Sequence, residues 1–131
     1  MLMEEAVIDA VAFVSISVAD QDRAKKFYTE QLGFELTLDV SMGDPDGPRW
    51  IEVRPPGART RIVLYHDPEG AGSFGPCVFD TDDITATAAD LKAKGVEILE
   101  EPRVAEWGSW WARFRDSEGN EFGLGQQDGA Q

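Results

Sequence analysis

Cysteine and histidine are almost missing from this 131-residue chain, which has one of each, Cys77 and His66. A single thiol can form neither an internal disulfide nor a cysteine zinc site. A Ser-His-Asp set needs an imidazole beside the nucleophile, and one histidine at a strand end does not supply it. His66 sits at a strand end before Asp67-Pro68 and reads as a surface histidine. Cys77 alternates with Phe79 on an apolar strand face and has no basic sequence neighbour to lower its pKa. It therefore reads as a small buried hydrophobe rather than a nucleophile. Long apolar runs are also missing, with none near the roughly 18 residues of a membrane span. Met1-Leu2-Met3-Glu4-Glu5 lacks the basic start of a signal peptide. The expected location is therefore the cytoplasm. Basic residues are scarce as well, 12 against 25 acidic ones, for a net charge of −13. Such a field repels nucleic acid and anionic lipid, so neither is an expected partner, and it favours cationic ones.

What is present is ordinary for a single folded domain over 1–131, with 42% hydrophobic and 28% charged residues. Residues 1–10 and 127–131 read as tails. Between them one grammar occurs twice. A strand pattern, Phe13-Val14-Ser15-Ile16-Ser17-Val18, ends at Asp20, a helix follows, and Gly33 closes it before Phe34-Glu35-Leu36. About half the chain later, Phe74 to Thr81 ends at Asp82-Asp83, a helix runs to Gly95, and Val96-Glu97-Ile98 resumes strand character. Ala24, Phe27, Tyr28 and Leu32 make the apolar stripe of the first helix, and Ile84, Ala88 and Leu91 that of the second. Asp20 and Asp82 or Asp83 suit N-caps, and the glycines suit the left-handed position past a helix end.

Hairpins are expected from Arg49–Arg54 with Thr60–His66, and from Trp110–Arg115 with Glu121–Gln126, while Val96 to Leu99 reads as a short strand. This is an α+β fold of two tandem βαβββ modules, 11–66 and 76–127, forming a curled mixed sheet with helices on its outer face. The linker 67–75 contains Gly70-Ala71-Gly72-Ser73-Phe74-Gly75, which matches the spacing of a dinucleotide fingerprint. A strand follows it, where that fingerprint needs a helix, so it reads as a connection between modules.

Strand parity separates two faces. Val14/Ile16/Val18, Ile51/Val53, Ile62/Leu64, Cys77/Phe79 and Phe122/Leu124 are apolar and belong under the helices. The opposite face is mixed. It carries Phe13 and Ser15, Trp50 and Glu52, then Arg61, Val63 and Tyr65, with Asp80 and Glu121 from the second half. At least one of the adjacent Trp110 and Trp111 must also point away from the helices, and an indole there can stack on a flat or cationic ligand. Glu52, Glu121 and Asp80 either meet a cation or are neutralised by Arg54, Arg61 or Arg113, because a buried unpaired charge is costly. A concave face of this composition is built to hold a small molecule.

These segments, with Phe27-Tyr28, Leu32-Gly33-Phe34 and the late turn Arg115-Asp116-Ser117-Glu118-Gly119-Asn120, resemble the vicinal oxygen chelate superfamily over residues 11–127. That superfamily includes glyoxalase I, extradiol dioxygenases and bleomycin-resistance proteins. The resemblance implies a usually dimeric assembly with the pocket in the cup of the sheet, so a homodimer is expected. In metal-dependent members the cup holds a divalent ion on His and Glu side chains. Those four positions fall here on Phe13, Val63, Pro76 and Gly123, none of which offers a donor. The expectation is a cofactor-free protein that binds a small aromatic or cationic molecule, as drug-sequestering relatives do. Two alternatives stand beside it. One is a metal-dependent lyase or isomerase of the glyoxalase type, with an unusual ligand set that draws on Glu52 and Glu121. The other is an interaction protein whose cup is closed by its own side chains.

Overall fold

Residues 6–126 are described by a computed structural model, and 1–5 and 127–131, most of the expected tails, lie outside the described residues. Residues 6–10 are exposed and carry no regular structure. The first module comprises β1 (Phe13–Val18), α1 (Gln21–Lys26), β2 (Glu35–Ser41), β3 (Arg49–Arg54) and β4 (Arg61–His66). The second comprises β5 (Phe74–Thr81), α2 (Ile84–Ala93), β6 (Glu97–Val104), β7 (Trp110–Arg115) and β8 (Glu121–Gln126). Each module folds into a four-stranded sheet, ordered β1-β4-β3-β2 and β5-β8-β7-β6. The first strand of each runs parallel to the last, and the remaining pairs are antiparallel. The fold is thus α+β, with βαβββ twice.

Helix boundaries follow local chemistry. The Asp20 carboxylate accepts the Arg23 N–H at 3.0 Å, and the Asp83 carboxylate accepts the Ala86 N–H at 3.1 Å, which caps both helices. Gly33 and Gly95 take φ of 76° and 87°, where a side chain would be strained. α1 widens into a π-helical turn over Phe27–Gln31, and the adjacent Phe27 and Tyr28 are both buried there.

The apolar faces do what their parity implies. Ile16, Val18, Ile51, Val53, Ile62 and Leu64 join Ala112, Phe114, Phe122 and Leu124 in one continuous core with residues of both helices. Phe34 and Phe79 carry that core across the modules with ring centroids 5.6 Å apart. Cys77 packs partly buried against it, and burial pushes its thiol pKa up, as suits a hydrophobe and not a nucleophile. The short strand expected at Val96–Leu99 extends as β6 to Val104. β6 is an edge strand, where Pro102 forfeits no ladder bond. Among the described residues no helix is long and apolar enough to cross a membrane.

A polar clasp ties the modules together. Tyr28 Oη donates to Asp116 Oδ2 at 2.6 Å, while Asp116 Oδ1 accepts the N–H groups of Glu118 and Asn120. Asn120 Nδ2 donates to the Ser17 carbonyl in β1 at 2.9 Å. Glu118 accepts the backbone N–H groups of Ala19 and Asp20 and an Arg23 guanidinium bond at 2.8 Å. Burial alone would raise the Glu118 pKa, but Arg23, those two N–H groups and the Ser117 hydroxyl outweigh it and bring it down to about 2. The second module's turn is therefore fastened to the start of the first module's helix.

Candidate functional site

The mixed faces follow from strand register. On the first sheet Phe13 lies opposite Arg61, Ser15 opposite Val63, and Glu52 opposite Val63 on the other side. Glu52 is only 6% exposed, yet both its carboxylate oxygens are engaged. Oε2 accepts the Trp50 indole N–H at 2.7 Å, and Oε1 accepts Arg61 Nη1 at 3.2 Å. Phe13 meets Trp50 edge-on at 5.7 Å, and the Arg61 guanidinium lies over the Phe13 ring at 5.9 Å. Val63 is fully buried beneath them. Phe13 and Tyr65 remain about half-exposed, and so do Leu38 and Val40 of β2, which pair with Glu52 and Trp50. This face is an aromatic and aliphatic wall whose central charge is already paired.

The second sheet repeats the geometry with different chemistry. Arg113 lies opposite Gly123 as Glu52 lies opposite Val63, and Phe114 opposite Phe122 as Val53 opposite Ile62. Trp111 therefore corresponds to Trp50, and Glu121 to Arg61. The ion pair is kept with its charges exchanged. Arg113 is bonded to Glu121 and to Glu100 of β6, and Arg115 bonds Glu121 at 3.1 Å and Glu97 at 2.8 Å. The Arg113 hydrogen bond holds the Glu100 carboxyl below the ordinary carboxylate range. Trp111 packs edge-on against Trp107 at 5.5 Å. Its benzo ring covers Gly123, where even a methyl group would overlap the Cζ2–Cη2–Cζ3 edge.

The remaining expected site residues divide. Ser15 and Asp80 are exposed on their strands, and Asp80 sits beside Gly125 with no ion pair among the described residues. Trp110 belongs elsewhere. It faces the helix side, in an open groove of about 610 Å³ with Ala88, Ala89 and Lys92 of α2. Adjacent strand residues point to opposite faces, so Trp111 alone takes the mixed face. His66 is exposed at its strand end.

A divalent ion is not supported by these side chains. Phe13, Val63 and Pro76 carry only carbon, and the space above Gly123 is filled by the Trp111 indole. Glu52 and Glu121 are taken by guanidinium groups, and among the described residues no three His, Cys, Asp or Glu side chains cluster as metal ligands. Leu38, Val40, Trp107 and Glu100 are contributors that the parity of the central strands does not announce. The alternation Leu36-Thr37-Leu38-Asp39-Val40 held the signal for the first two. The two mixed faces meet at the groove between β1 and β5, which Ser15 of the first and Pro76 of the second both line. That groove, about 150 Å³, reaches Ser15 and Ser17 but neither tryptophan.

Comparison with known proteins places these features. Residues 8–124 match the family model for the Glyoxalase/Bleomycin resistance protein/Dioxygenase superfamily. The uncharacterized protein YetH of Bacillus subtilis (strain 168) is 40% identical, covering 88% of this chain and 97% of its own. A crystal structure of a member of the same superfamily from Sphaerobacter thermophilus DSM 20745 superposes with a TM-score of 0.82, at 33% identity over 92% of this chain and 98% of that one. TnmS3, an antibiotic binding protein from Streptomyces sp. CB03234, superposes with a TM-score of 0.79, at 35% identity over 93% of this chain and 98% of that one.

Proposed function

The chain belongs to the Glyoxalase/Bleomycin resistance protein/Dioxygenase superfamily, and we propose that it is a metal-free binding protein for a small aromatic molecule rather than an enzyme of that superfamily. One observation carries the reading. At the centre of the second face an indole lies over a bare glycine, where a metal-dependent relative would present a carboxylate. The carbon side chains of Phe13, Val63 and Pro76 agree with it, and so does the likeness to an antibiotic binding protein at 35% identity.

Charge narrows the ligand. Glu52 and Glu121 are neutralised within the protein by Arg61, Arg113 and Arg115, so the faces present no free carboxylate at their centres. An uncharged aromatic surface is therefore favoured over a cation, for which only the peripheral Asp80 would remain. The half-exposed Phe13, Tyr65, Leu38 and Val40 argue against a cup closed by its own side chains. The lyase or isomerase alternative would need donors that these positions do not supply.

Within one chain the groove that the two mixed faces share reaches neither Trp50 nor Trp111. We therefore place the complete cup in a homodimer, with the first-module face of one copy meeting the second-module face of the other. The protein acts in the cytoplasm, where the lone Cys77 stays reduced. Calorimetric titration of chelator-treated protein with a panel of aromatic antibiotics and aromatic amines tests the reading. Saturable binding tighter than millimolar is expected for an uncharged aromatic member, and no such binder in the panel would remove it.

A further inference from the structure

A second hollow lies on the helix side of the strands, behind the mixed faces. Two recesses of about 330 and 190 Å³ adjoin there, with Pro55 and Phe79 lining both. Val14, Ile62 and Cys77 line the first, each on the apolar parity of its strand. Val11 and Val78, both more than half exposed, leave it open to solvent. Phe34, Leu91, Phe114 and Leu124 line the second, together with Thr81 and Thr87. The Thr81 and Thr87 hydroxyl oxygens are 2.6 Å apart, so one hydroxyl donates to the other. The remaining hydroxyl proton has no acceptor among the described residues, which leaves the pair one hydrogen bond to give.

Charge is missing from this lining. Asp80 is the one carboxylate at its border, and that carboxylate lies over Gly125, on the mixed face. An ion placed in the cleft would therefore be buried without a partner, which is costly. An uncharged chain gains from the same lining in proportion to the apolar area it buries. Because the recesses adjoin at Pro55 and Phe79, an unbranched chain can occupy both.

We propose that this helix-side cleft is a binding site for an uncharged, unbranched aliphatic chain ending in a hydrogen-bond acceptor, such as a ketone or ester carbonyl. The carbonyl accepts the spare proton of the Thr81–Thr87 pair, and the chain runs past Phe79 and Pro55 to Cys77. The site stands apart from the aromatic cup, and its test uses no aromatic ligand, so the two readings can fail independently.

Octan-2-one, octanoate and octylammonium share one chain length and differ in the charge of the end group. Each is mixed with the full-length protein while iodoacetamide alkylates Cys77, its only thiol. At about ten times its dissociation constant, octan-2-one should slow that alkylation about tenfold by mass action, since the chain covers the thiol. Neither ion should do so at the same concentration. Ala58→Leu puts a larger side chain into the first recess and should lower ketone affinity about tenfold. Replacing both hydroxyls, Thr81→Val with Thr87→Val, should lower it about fivefold by removing the donor. Far-UV circular dichroism identical to the parent's shows that each variant is folded. Should the double variant fail to fold, Ala58→Leu decides alone. Absence of protection by the ketone, equal protection by either ion, or unchanged ketone affinity in the folded variants would overturn the site. So would protection of Cys77 that rises with protein concentration in the absence of ketone, which would put a second copy of the chain in the cleft.

Discussion

The two mixed faces use the same backbone positions to opposite ends. On the first, a buried glutamate holds a tryptophan and an arginine, and the rim strand β2 offers Leu38 and Val40. On the second, arginine replaces that glutamate, and the rim strand β6 offers Glu100 and Arg103 beside Arg113 and Trp111. Exchanging the two charges preserves the pair but releases one indole from its anchor. A duplicated scaffold can thus keep its electrostatic balance while making one wall apolar and the other polar.

The largest expected effect comes from breaking the first anchor. Glu52→Ala removes a buried acceptor shared by Trp50 and Arg61 and should cost about 3 kcal/mol in urea unfolding. Glu121→Ala breaks the corresponding pair on the second face, but Arg113 keeps Glu100 and Arg115 keeps Glu97. These groups are partly solvated, so the cost should stay below about 1 kcal/mol. Equal costs would erase the distinction between the faces.

The junction is the next place to press, because there the second module's turn is hydrogen-bonded to the start of the first module's helix. The Glu118 pKa falls from an ordinary 4.5 to about 2 on folding. The stability it contributes is present above about 4.5 and lost as pH falls toward about 2. Glu118→Gln should cost about 2 kcal/mol at pH 7, and its unfolding midpoint should change less than that of the parent between pH 4.5 and pH 2. A smaller loss is expected for Tyr28→Phe, about 1–2 kcal/mol, since Asp116 keeps its bonds from Asn120 and the turn N–H groups. Burial, reinforced by the Asp116 charge, holds the Tyr28 phenol well above its ordinary pKa, so it stays a donor across the accessible pH range. The smallest effect belongs to Trp110→Ala, which should leave ligand affinity unchanged by calorimetry because Trp110 lies against α2.

Much of this architecture is legible in the sequence because it is local. Period-two alternation identifies the core-facing sides of β1, β3, β4, β5 and β8, and Asp20, the Asp82-Asp83 pair, Gly33 and Gly95 mark the helix ends. What is illegible is long-range or register-dependent. β6 continues through Pro102 because it is an edge, which its composition does not announce. Trp110 and Trp111 are adjacent, so only the observed register decides which indole faces the cup. The Glu118 bonds to Ala19 and Asp20 cross almost the whole chain and leave no local pattern. The exchanged pairs Glu52–Arg61 and Arg113–Glu121 emerge only when the registers of the two sheets are superposed.

The most direct test is calorimetric titration of one uncharged aromatic ligand from the panel into the same protein preparation before and after exhaustive chelation, with metal content measured on both samples. Equal affinity in both, with no stoichiometric metal in either, is the expected result. Binding that disappears on chelation and returns with an added divalent ion would contradict a metal-free aromatic cup.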